Sequence, residues 1–245
     1  MRVPTQIVIV GDSITAGYGA STSAAANVPV LAQHFGTTAT VSGFGHPGAT
    51  MLSTSTAPFV PYVQQTDYAD ATKAVEAFAP TEIVDVVIML GTNDAAPQNW
   101  VGPSGSNSAR FTTEYAAMVD HFAGLASRPM VYVALSPALF IPLAGPTANS
   151  DCILHDQIIP IIRQIAMQKS LQIVDEYSAT VGHPEYFVVP GTKTIDIHPN
   201  DMGHKAIAQV MYDTLTGRTP TAGDPSAEAA CNGGMFLIPE RRYNP

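Results

Sequence analysis

Apolar positions fall into two rhythms that take turns along the chain. The continuous run of branched residues Ile7-Val8-Ile9-Val10 reads as a strand buried on both faces, as in a parallel sheet, and Ile83 to Leu90, interrupted only by Asp85, is the strongest strand in the sequence. Shorter runs at residues 38–44, 130–135 and 171–174 are expected to add further strands. Between them apolar residues recur at helical spacing. Ala71, Ala74, Val75 and Phe78 mark a helix over 67–78, stopped by Pro80, and Tyr115, Met118, Val119 and Phe122 mark one over 111–125. Segments 153–167 and 202–215 read as helices too, the first with Pro160 as an irregularity. The Ala-rich segment 21–35 is expected to be helical, with Pro29 limiting where it starts. Strands alternating with helices imply a three-layer α/β/α sandwich around a parallel sheet of about five strands. Residues 1–216 suffice for one such domain. The remainder, 217–245, is rich in Pro, Gly and Ala, and its apolar patch Met235-Phe236-Leu237-Ile238 is expected to pack on the domain or on a partner subunit.

The strand ends carry the polar residues. The first strand runs into Gly11-Asp12-Ser13, which delivers Ser13 to the sheet edge where ligands bind in open α/β folds. A helix opening just after Ser13 would favour negative charge developing there, and the same position suits a plain helix cap. The second strand ends in a turn holding Gly43, Gly45 and Gly48, and the third in Gly91-Thr92-Asn93-Asp94. A long loop follows with the only tryptophan, Trp100, and another long loop spans 136–150. A fourth polar segment, Asp196-Ile197-His198-Pro199-Asn200, precedes the last helix. Serine, histidine, aspartate, an asparagine amide and glycine N–H groups together meet the needs of acyl transfer: a nucleophile, a base and donors for an oxyanion.

These blocks resemble the SGNH, or GDSL-type, hydrolase family. Gly11-Asp12-Ser13 matches its first block, Gly48 sits where the second has its glycine, Gly91-Thr92-Asn93-Asp94 matches the third, and His198-Pro199-Asn200 the fifth. The resemblance spans residues 11–200 and implies a flavodoxin-like sandwich. It implies Ser13 as nucleophile, His198 as base, and Ser13 N–H, Gly48 N–H and the Asn93 amide as oxyanion hole, with no metal or cofactor. The family's aspartate usually stands three residues before the histidine, where this chain has Ile195. Asp196 takes the orienting role in this reading, with a backbone carbonyl as the alternative. His46-Pro47 and Gly43 also depart from the second block. The wording from Met89 to Trp100 is similar to members that deacetylate sugars, which implies a serine esterase for short acyl esters, first among them O-acetyl groups on carbohydrates. Acyl transfer to another alcohol, a lipase- or arylesterase-type activity, and a non-catalytic carbohydrate-binding relative are the alternatives.

Asp12 within the first block, with His46 and Trp100 beside the second and third, are the candidates for touching substrate. Trp100 would stack on a sugar or simply pack, and Asp12, like Asp94, also suits a carboxylate bonding turn N–H groups. His34, His121, His155 and His183 lack partner motifs, and His198 with His204 lacks a third metal ligand. Gly17-Tyr18-Gly19 is not completed to a dinucleotide loop, since Thr22 stands at the third glycine position. Gly11-Asp12-Ser13-Ile14-Thr15 also fails the G-x-S-x-G elbow.

Charge sharpens the picture. A net charge of −9 with only 11 Lys+Arg disfavours nucleic acid and anionic lipid as partners. No apolar run reaches membrane-span length. The chain enters its first strand at once, so no signal peptide is read. The sparse charge (13%) favours export after loss of a leader over a cytoplasmic location. Cys152 and Cys231 allow one disulfide or two free thiols.

Overall fold

The computed structural model describes residues 3–102, 105–140 and 149–218. Its five-stranded sheet comprises β1 (Gln6–Gly11), β2 (Thr40–Gly45), β3 (Val84–Met89), β4 (Met130–Leu135) and β5 (Gln172–Asp175). All pairings are parallel, in the spatial order 2-1-3-4-5. Five longer helices cover it: α1 (Asn27–Phe35), α2 (Thr66–Ala77), α3 (Ser108–Ala123), α4 (Ile159–Lys169) and α5 (Asp201–Leu215).

Successive strand residues face opposite layers. Ile7, Ile9, Val87 and Met89 pack with Leu31 and Phe35 of α1 and Ile207 and Met211 of α5. Val8, Val10, Val86 and Ile88 pack with Val75 of α2, Tyr115 and Phe122 of α3 and Ile162 of α4. A strand covered on both sides is apolar at nearly every position, which is why these segments read as near-continuous runs rather than alternating ones, with buried Asp85 the one charged residue in β3.

Two expectations are corrected, and the helix that would favour negative charge beside Ser13 does not form. Residues 12–19 make successive turns, with Ala16 N–H donating to Asp12 O and Tyr18 N–H to Ser13 O, because Gly17 and Gly19 sit at φ 90° and 89°, outside the right-handed helical region. Segment 21–35 divides into a 3-10 turn, Ser23–Ala25, and α1, whose first turn holds Pro29 where its missing N–H is harmless. Segment 153–167 begins instead as a short helix at Asp151–Ile153 and widens into a π-helical turn, Leu154–Ile158, just ahead of Pro160. A proline cannot make the bond to residue i−4, and a wider turn accommodates that loss.

Short elements carry no signal in the sequence: a parallel pair, Ala49–Thr50 with Val60–Pro61, and the helices Pro97–Trp100 and Glu176–Thr180. They are too brief to show a period. No helix of the described residues is long and apolar enough to cross a membrane. The tail patch at 235–238, Cys231 and residues 141–148 of the long loop lie outside the described residues.

Candidate active site

The site lies beyond the carboxyl ends of β1, β2 and β3, where the strand order reverses direction between β1 and β3. Crevices form at such switch points because the connections on either side leave to opposite faces of the sheet. Ser13 ends the turn after β1 and is 6% exposed. Its Oγ lies 2.9 Å from Nε2 of His198, a residue 185 positions away in sequence. For the hydroxyl to donate to Nε2, the imidazole must carry its proton on Nδ1.

His198 is held by the residue two positions after it. Asn200 caps α5 with its side-chain oxygen, accepting from Met202 N–H at 3.0 Å and Gly203 N–H at 3.3 Å. Its amide donates to the carbonyls of Glu185 and Val188 at 2.8 and 3.0 Å, and its own N–H to Tyr186 O at 2.7 Å. One side chain thus ties the loop to α5 and to the preceding 3-10 turn, Pro184–Phe187. Sequence reasoning used Asn200 only as part of a block; its N-cap position ahead of a periodic helix is the signal that reveals the clamp.

Asp196 lies on the Nδ1 side of the imidazole. Its Oδ2 is 3.5 Å from Nδ1, its Oδ1 accepts from Ile197 N–H at 2.6 Å, and its side chain is 49% exposed. Ile195, at the position where the family aspartate is expected, instead bridges to Val188.

Of the expected oxyanion donors, Asn93 is tied directly to the turn that holds Gly48. Residues 46–49 form a turn closed by Ala49 N–H donating to His46 O, with Gly48 at φ 74°, a conformation that glycine adopts without strain. The Gly48 carbonyl accepts from Val60 N–H, and the Gly48 N–H takes part in neither of these bonds. Asn93 donates from Nδ2 to Ala49 O at 2.9 Å, which leaves its second amide hydrogen for another acceptor. Asn149 Nδ2 lies 3.4 Å from Asn93 Oδ1 and fixes which way the amide faces, while Asn99 donates to the Asn93 carbonyl at 2.8 Å. Asp94 binds the third block to the second through Met51 N–H and Leu52 N–H, at 2.9 and 2.8 Å. Neither Asn149 nor Asn99 stood out in the sequence, since asparagines in polar loops carry no distinctive spacing.

The candidates for substrate contact separate. Asp12 is fully buried and accepts from Ile14 N–H at 2.9 Å, the turn-bonding role also open to it. Trp100 is 1% exposed, donates to Gln157 Oε1 at 2.7 Å and packs edge-on against Phe111, so it belongs to the core and offers no face to a sugar. The short helix Pro97–Trp100 turned it inward, which no local pattern foretold. His46 remains part-exposed at the site's edge, its Nδ1 2.8 Å from Asp67 Oδ2 near the start of α2. His204 is enclosed: its Nδ1 accepts from Asn27 N–H at 3.2 Å, so its Nε2 donates to Tyr18 O at 2.9 Å. Burial lowers its pKa, which keeps it neutral.

Buried carboxyls stand behind the site. Burial pushes Asp12 up to about 6, against the pull of the Ile14 N–H. It pushes Asp94 up to about 7, against the Met51 and Leu52 N–H groups. Glu176, fully buried at the end of β5, is raised well above the usual carboxylate range by desolvation, with Asp12 and Asp175 adding repulsion.

A five-stranded parallel sheet flanked by helices, with Ser, Gly, Asn and His gathered at its switch point, is the architecture of GDSL, or SGNH, hydrolases. The profile of the GDSL-like lipase/acylhydrolase family matches residues 9–206, and the chain belongs to that family. An acetylxylan esterase from Xylanibacter ruminicola is 30% identical over 223 residues, covering 84% of this chain and 42% of that protein. The chain therefore spans under half the length of this curated relative. The native aryl esterase of M. smegmatis superposes with a TM-score of 0.64 at 18% identity, over 88% of this chain and 100% of the other. The acetyl xylan esterase AlAXEase gives 0.58 at 19%, over 85% and 98%. Both superpositions speak for the fold.

Proposed function

We propose that this chain hydrolyses short-chain acyl esters, acetyl esters of carbohydrates foremost, through an acyl-enzyme on Ser13. The observation that carries the reading is the 2.9 Å contact between Ser13 Oγ and His198 Nε2. Ser13 Oγ attacks the ester carbonyl as Nε2 takes its proton. The oxyanion is received by the N–H groups of Ser13 and Gly48 and by Asn93 Nδ2. Nε2 then returns the proton to the departing alkoxide, and His198 activates a water that releases the acid. Asp196 orients the imidazole from the Nδ1 side. The acetyl preference and the sugar alcohol are supported by the acetylxylan esterase relative and by the wording from Met89 to Trp100.

Acid release from aryl esters of C2 to C8, followed by acetylated xylose oligomers, tests the proposal. Wild type should be fastest at C2 or C4 and should release acetate from the sugars, while Ser13→Ala should be inactive with an unchanged melting temperature. Asn93→Ala should lower kcat more than it raises KM, by about 100- to 1,000-fold, because the oxyanion exists only along the reaction path. A folded wild type inactive on every ester would overturn the assignment.

A further inference from the structure

Tyr18 is the one aromatic among the exposed large apolar side chains of the described residues, half exposed at 50%. Its ring centroid lies 5.5 Å from that of His198, at an interplanar angle of 42°. Its backbone is pinned on both sides. The Tyr18 N–H donates to Ser13 O at 3.0 Å, and its carbonyl accepts from buried His204 at 2.9 Å. The corner that follows packs on the loop of the catalytic pair: a Cβ at Gly19 would lie 2.3 Å from Pro199 O and 2.9 Å from His198 Cβ. A large ring is thus held in place at the site's rim while its face stays in water. A wet aromatic face on a fixed backbone binds a partner without a large ordering cost.

The chemistry says which part of the substrate passes there. If His198 protonates the departing oxygen, the alcohol half of the ester lies beside the imidazole, and Tyr18 neighbours that imidazole. We propose that Tyr18 is the platform on which the ring of the leaving alcohol stacks, with the apolar face of a pyranose as its natural occupant. This rests on the ester-hydrolase reading above and gives the alcohol side a specificity-determining residue, the part that the sequence alone suggested for Trp100.

The test compares wild type, Tyr18→Ala and Tyr18→Phe on ethyl acetate, cyclohexyl acetate and acetylated xylose. Tyr18→Ala should lose at least about tenfold more in kcat/KM on the two ring acetates than on ethyl acetate, chiefly through KM, and Tyr18→Phe should restore the ratio. Equal losses on all three would overturn the platform and make Tyr18 a support for His198. No loss on the ring acetates would overturn it too. Wild type that accepts cyclohexyl but not xylose acetate would refute the carbohydrate reading alone, and the cyclohexyl-to-ethyl ratio would still judge the platform. Wild type inactive on all three would refute the ester reading and the platform with it.

Discussion

Replacing Asp196 by alanine should cost this site little. A triad carboxylate is usually sealed against the imidazole, and altering it there lowers kcat by roughly 10⁴. Here Oδ2 stands 3.5 Å from Nδ1 and the side chain is 49% exposed, so water screens the pair. Two unit charges at that separation in a water-like medium attract by about 1.2 kcal/mol, and exposed ion pairs measured in proteins give about 0.2–1 kcal/mol. Losing about 0.2–1.2 kcal/mol as the imidazolium forms corresponds to about a 1.4-fold to 8-fold fall in kcat. Steady-state hydrolysis of an aryl acetate by Asp196→Ala and Asp196→Asn measures it, with little change expected in KM. The loop should survive, because Asn200 and the Val188–Ile195 bridge hold it independently. A loss of a thousandfold or more would refute the screening argument and mean that Asp196 closes into a buried contact when substrate binds. No measurable loss in either variant would remove Asp196 from the mechanism.

Two further outcomes concern stability. Glu176 has a folded pKa raised above its unfolded value, so folded protein holds its proton over a pH range in which unfolded chain has lost it. Stability therefore falls as pH rises from the unfolded value through the folded one, by about 1.4 kcal/mol for each pH unit that separates the two. Glu176→Gln should remove that penalty, melting higher than wild type at pH 8 and about the same at pH 4; a variant less stable at pH 8 would refute it. Trp100→Phe removes a part-buried hydrogen bond to Gln157 and leaves space in the core, at a cost of about 1–3 kcal/mol. Its thermal midpoint should drop while kcat/KM on acetylated xylose stays within about twofold; raised KM with an unchanged midpoint would restore Trp100 to the binding site.

Where local sequence imposes its own constraint, it was readable. A strand buried on both faces is apolar nearly throughout, so β1 and β3 declared themselves despite Asp85 in β3, and their alternation with helical periods implied the parallel sheet. The blocks holding Ser13, Gly48 and Asn93 could be placed because each follows a strand, and the block holding His198 because it precedes the last helix. Trp100 was not, because a lone tryptophan in a polar loop carries no period, and the short helix that turns it inward is set by contacts with Phe111 and Gln157.

The sequence by itself determined the layers and the edge at which chemistry gathers, since strand and helix periods are local properties of the chain. Tertiary structure alone decided the rest. It brought His198 to Ser13 across 185 residues and left Asp196 half in water. It sent Trp100 into the core and pinned Tyr18 at the rim between Ser13 and His204. Exposure and distance depend on which distant segments meet, and no short stretch of sequence encodes that meeting.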